Sequence, residues 1–76
     1  MNKVQRNQIE KWIDSITEIK EGVESMIEEE NEKYENMPEN LQDSERGEKM
    51  HEGSENLEAA ASSLEEAIDS LNSAIE

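Results

Sequence analysis

The sequence predicts an all-α fold: a long antiparallel two-helix hairpin, coiled-coil-like, that assembles into a four-helix bundle or larger homo-oligomer. Three observations lead there. Apolar residues recur at steps of three and four through both halves of the chain, and period-two alternation is absent. One proline separates the halves. And 76 residues, of which 32% are hydrophobic, are too few to close a large core without help from another copy.

The first half places Ile9, Trp12 with Ile13, Ile16, Ile19, Val23 and Met26 with Ile27 on one stripe, and Tyr34 continues it. This predicts a helix over about 3–35. The second half is more regular. Leu57, Ala61, Leu64, Ile68, Leu71 and Ile75 step by four and three, with Met50 one heptad upstream of Leu57. That is a coiled-coil seam, and it predicts a second helix over about 38–75. Between them Pro38 disfavours a continuous helix but suits the first position of a new one, so the turn is expected at 36–38. Gly47 and Gly53 make 43–54 the weakest stretch of the second helix. The alternative is a break there, with Ser54 capping a restarted helix. Residues 1–76 form one helical-hairpin domain on this reading.

A turn at position 37 pairs residues whose numbers add to about 74. Ile9 would then meet Leu64, Ile13 Ala61, Ile16 Leu57 and Val23 Met50, with Trp12 and Ile13 opposite Ala59, Ala60 and Ala61. Lys20 would face Ser54, with Gly22 level with Gly53, as one polar interruption halfway down the rod. Each stripe is about three positions wide and one partner helix covers only part of it. Self-association, most simply a two-fold dimer, is the expected remedy.

Charge bounds the function. The chain holds 21 acids against seven Lys and Arg, a formal net charge of −14. The first 23 residues are balanced, and the acidity begins in mid-chain, densest at Glu28-Glu29-Glu30-Asn31-Glu32. A basic surface for nucleic acid or anionic membrane is therefore excluded, and proteins with basic surfaces become the natural partners. No cysteine is present, so disulfides and thiolate metal sites are excluded. No stretch has the length and apolarity of a membrane span. His51 stands without a second imidazole or thiol for a transition metal, and the Glu28–Glu32 run lacks the alternating ligands of a calcium loop. No catalytic residue, metal site or cofactor is expected, and the chain is read as a binding protein.

Two candidate contact regions follow. The tip holds the only Tyr and Pro, and a rare late base: Tyr34, Met37, Asn40, Ser44, Glu45 and Arg46. An aromatic ring, a hydroxyl and a guanidinium suit a protein contact or, less well against this charge, a small nucleotide. A structural reading of the same residues makes Tyr34 and Leu41 an end-plug and has Arg46 neutralise neighbours such as Glu45. The second region is an acidic face of Glu28, Glu29, Glu32 and Glu35, partly relieved by a Glu29–Lys33 pair.

Residues 34–46, Tyr-Glu-Asn-Met-Pro-Glu-Asn-Leu-Gln-Asp-Ser-Glu-Arg, followed by Leu-Glu-Glu-Ala-Ile-Asp-Ser-Leu at 64–71, resemble a group of small acidic helical proteins encoded by phages, prophages and mobile elements of Gram-positive bacteria. The resemblance covers the second half of the chain, while the first half matches in helical pattern alone. It implies an inhibitor that sequesters a host factor, defence components included, in the cytoplasm of a bacterial host. A sponge for a nucleotide signal and a structural coiled-coil adaptor are the alternative expectations.

Overall fold

The computed structural model describes all residues 1–76 as three helices in sequence: α1 Lys3–Glu35, α2 Glu39–Gln42 and α3 Glu45–Ala74. Helices α1 and α3 lie against each other as an antiparallel pair, and α2 is a single turn at the tip. The molecule is a rod with principal extents of 58 × 14 × 13 Å.

Local chemistry explains each boundary. Asn2 caps α1 reciprocally: its Oδ1 accepts from the Gln5 N–H at 2.8 Å, and the Gln5 Oε1 accepts from the Asn2 N–H at 3.1 Å. The helix ends at Asn36, two residues before Pro38, where the ring of the proline bars continuation. Pro38 opens α2, and its carbonyl accepts from Leu41 and Gln42. Gln42 then closes the tip, its Nε2 donating to the carbonyls of Tyr34 at 2.9 Å and Met37 at 3.1 Å. The Met37 carbonyl just past α1 gains its donor this way, and the Tyr34 carbonyl, which already accepts from the Met37 N–H, gains a second. Ser44 leaves the helical region, with ψ at 168°, and restarts the chain as α3. Its hydroxyl donates to the Leu41 carbonyl and accepts from the Gly47 N–H.

The turn therefore differs from the expectation in size and place. It occupies nine residues, Asn36–Ser44, rather than three, because α2 stops at Gln42 and Ser44 resets the backbone. The second long helix begins at Glu45, not 38. It runs unbroken through Gly47 and Gly53, and Ser54 is no cap: it is buried in mid-helix.

A wider turn moves the register. Lys20 reaches Glu65 at 2.9 Å, and the Tyr34 and His51 rings are 5.9 Å apart, so facing residues have numbers adding to about 84, not 74. The buried and half-buried positions follow the same alignment. On α1 the series is Ile9, Ile13, Ile16, Lys20, Val23, Ile27, Glu30 and Tyr34, with Thr17 half-buried beside it; on α3 it is Met50, Ser54, Leu57, Ala61, Leu64, Ile68, Leu71 and Ile75, with Gly47 buried one step before it and Ala67 half-buried beside it. Both run in unbroken steps of four and three, and they mesh as Ile9/Ile75, Ile13/Leu71, Ile16/Ile68, Lys20/Leu64, Val23/Ala61, Ile27/Leu57, Glu30/Ser54 and Tyr34/Met50. Ile9 thus meets Ile75 rather than Leu64, and Val23 meets Ala61 rather than Met50. The expected single polar layer becomes two separate ones, at Lys20 and at Glu30/Ser54. Trp12 does not pack against the alanines; it lies outside the seam.

Burial is shallow. Four of 76 residues are buried: Ile9, Gly47, Ser54 and Ile68. Six large hydrophobic side chains stay exposed, among them Trp12 at 51%, Ile19 at 57% and Met26 at 51%.

Candidate functional site

The heptad gives every surface residue an address. With the seam positions as a and d, positions e and b form one flank of the hairpin, g and c the opposite flank, and f the backs of the helices. Contacts place the two flanks. Lys20, Glu24, Ala61 and Glu65 gather on the e side, whereas Met26, Arg46 and Gly53 border a groove on the g side.

The e/b flank is strongly acidic. It carries Glu10, Asp14, Glu21, Glu24, Glu28 and Glu35 from α1, and Glu48, Glu55, Glu58, Glu65 and Asp69 from α3. Lys20 reaches into it from the seam, holding Glu65 at 2.9 Å and Glu24 at 3.6 Å. The hydrogen bond that Lys20 donates to Glu65 raises its pKa above the ordinary value. Desolvation opposes this, and the charges of Glu24 and Glu65 add to it. On the same flank His51 pairs with Glu55 at 3.0 Å.

The g/c flank is the reverse. Of the acids on the two long helices, Glu29 alone falls on it. From residue 5 to 26 on α1 and from 53 to 74 on α3 these columns hold no charge at all, in a chain of which 37% is charged. Charge returns only near the turn, as Glu29, Lys33, Arg46 and Lys49. The three large apolar residues Trp12, Ile19 and Met26 stand on this flank at heptad spacing, each about half exposed.

The proposed tip residues are divided between these surfaces. Tyr34 is a seam residue whose ring turns to the His51 side. Met37 is half-buried with its carbonyl engaged by Gln42, and Asn40 is exposed on α2. Ser44 is committed to the α3 cap. Ser44, Glu45 and Arg46 line the open groove together with Met26, Lys49 and Met50. Glu45 pairs with Lys49 at 3.9 Å, and Arg46 has no carboxylate within ion-pair distance, so Arg46 does not neutralise Glu45. Leu41, expected to plug the end with Tyr34, is 41% exposed.

The proposed acidic face is likewise divided: Glu28 and Glu35 lie on the e/b flank, Glu32 on the back of α1, and Glu29 on the g/c flank. Lys33 pairs with Glu30 at 3.4 Å in place of Glu29. Reading residues 28–35 as one linear acidic run misses this division. The heptad phase present at Ile9, Ile13 and Ile16 is the signal that assigns each glutamate to its flank. No group of three or more His, Asp and Glu side chains comes together in a way that could hold a metal ion, and no helix is long and apolar enough to cross a membrane.

No protein-family model, no curated protein and no solved structure matches this chain.

Proposed function

We propose that this chain is a non-enzymatic binding protein that works as a homo-oligomer and presents its acidic flank to a basic surface on another protein. The observation that carries the reading is the sideways segregation of charge: eleven carboxylates on one flank, one on the other. Solubility alone requires net charge but no such sorting. A surface that normally holds nucleic acid is the fitting target, since ordered carboxylates along a rod repeat the demand that phosphates make of lysine and arginine. In the setting implied by the resemblance to phage-encoded proteins, the target is a host factor in the bacterial cytoplasm, a defence component among them, and occupying it is inhibition.

The rival reading, capture of a small nucleotide at the tip, keeps Arg46 as a phosphate partner, with Lys49 added beside it by the groove. It loses Tyr34 as a stacking ring, because that ring faces the other flank. The protein target is the better supported.

The test is a pull-down from bacterial lysate at low and raised salt, with wild type beside Glu28→Gln/Glu35→Gln/Glu48→Gln. A partner with a basic surface should be retained at about 50 mM salt and be lost by several hundred millimolar, as surface charge contacts are screened. The triple variant should release it at low salt. Partners held equally by the variant and at high salt would overturn the reading.

A further inference from the structure

We propose that the uncharged g/c flank is the interface for a second copy of this chain, packed head to tail about a two-fold axis that crosses the rod at Ile19. The inference rests on the reading that the chain self-associates, and adds which face does it and in which orientation.

Symmetry in the sequence points to it. The large residues Trp12, Ile19 and Met26 are centred on Ile19. Beside them, also in column g, α3 carries the small residues Gly53, Ala60, Ala67 and Ala74, centred between Ser63 and Leu64. In the register of this hairpin Ile19 lies level with Glu65, so the two centres fall within two residues of each other. One axis across the rod therefore maps each stripe onto itself, which is what an isologous interface requires. Ile19 meets its own copy, and Trp12 meets Met26 of the second copy. On the other side the small stripes let the α3 backbones approach closely. Gly53 is a helix-interior glycine at which an added Cβ would meet nothing within 4 Å, so packing inside the single chain gives no reason for its missing side chain.

Area and charge agree on the occupant. Over the whole rod, 58 by 14 Å, the flank offers a footprint of at most about 800 Å² per copy, the size of a standard stable interface per partner, and the uncharged 22-residue stretch supplies roughly 460 Å² of it as the core. A second copy, itself at −14, can approach closely only where the acids are absent. Charge also sets the direction. Residues 20–63, the half of the rod nearer the turn, hold fourteen acids and four bases, a net of −10, which leaves −4 for the other half. Head-to-tail packing sets −10 beside −4, whereas turn-to-turn packing sets −10 beside −10. The dimer turns both acidic flanks outward and carries twice 14 net charges on 58 Å, one per about 2 Å. Duplex DNA carries one per roughly 1.7 Å.

The chain has no cysteine, so a single Ile19→Cys reports the axis cleanly. Sizing of the wild type by light scattering should give twice 8.7 kDa. Under mild oxidation or with a short bismaleimide, Ile19→Cys should convert almost wholly to a covalent dimer, and Glu18→Cys, on the back of α1, should stay single. Ala60→Glu, a change at an exposed position within one chain, should move the sizing to the monomer while helicity by circular dichroism is kept. A wild-type monomer at all concentrations would remove self-association itself. A dimer by sizing in which Ile19→Cys links no better than Glu18→Cys, or which Ala60→Glu leaves intact, would overturn this face and orientation alone.

Discussion

Lys20 joins the two long helices by an ion pair to Glu65, Nζ to Oε2 at 2.9 Å, although it occupies a position that the seam would otherwise give to an apolar residue. The pair is partly exposed and its partners could each find water. Its value lies in fixing which turn of α3 faces which turn of α1. Lys20→Glu should lower the melting temperature by several degrees, since it sets a third carboxylate beside Glu24 and Glu65. Lys20→Glu/Glu65→Lys should recover most of the loss. Thermal melts followed by circular dichroism check this, and a double variant no better than the single would mean that the register is set elsewhere.

The same lysine has a pH signature. Its pKa is raised in the folded chain, first by the hydrogen bond it donates to Glu65, from an ordinary 10.5. The folded state therefore binds this proton more tightly than the unfolded state does. The stability it contributes is complete below pH 10.5 and is lost as pH rises through the higher folded value. Comparing wild type with Lys20→Met in melts from neutral to strongly alkaline pH should show the wild-type curve falling more steeply above that point.

Gly47 supports the tip for a steric reason. It is buried, and a Cβ there would collide with the backbone carbonyl oxygens of Leu41 and Gln42. Backbone cannot step aside as a flexible side chain can, so Gly47→Ala should cost about 2–3 kcal/mol despite the better helix propensity of alanine. Urea denaturation with the slope held common would measure it. A neutral or stabilising result would show that α2 does not dock on α3 as described.

Two polar side chains define the rest of the turn. Ser44→Ala removes the cap of α3 and should cost about 1 kcal/mol. Gln42→Ala leaves the Met37 carbonyl without its donor and the Tyr34 carbonyl with the Met37 N–H alone, and should cost about 1–2 kcal/mol. Amide exchange should quicken at Gly47 in the first variant and at residues 41–44 in the second, with the far end of the rod unchanged.

How far the sequence discloses this structure depends on the residue. The α3 seam from Leu57 to Ile75 is legible because each of its own positions is apolar. The α1 seam is harder to read: Lys20 and Glu30 fill two of its positions, while Trp12, Ile19 and Met26 sit one place outside it and look like core. A two-helix seam is only two columns wide, so strict heptad counting from Ile9 assigns all five correctly and hydrophobicity does not. Pro38 misleads about the turn because it opens a helix as expected, yet that helix lasts one turn. Asp43-Ser44-Glu45, a capping residue before an acidic first turn, marks the true start of α3. The separation of flanks follows from the register, and stays out of reach while the register is wrong by about ten.

Net charge makes the final prediction. With 21 acids against seven bases, four modest lysine ion pairs cannot offset the repulsion among the remaining carboxylates. Screening weakens both, but there is much more repulsion than attraction to screen. Added sodium chloride, from about 20 to about 300 mM, should therefore raise the melting temperature, against the usual direction for a protein held by salt bridges. The rise should be larger for wild type than for Glu28→Gln/Glu35→Gln/Glu48→Gln, whose acidic flank is partly neutralised. If salt lowers the melting temperature instead, attractive pairs dominate the fold, and the sorted acids on the e/b flank are compensated within the chain.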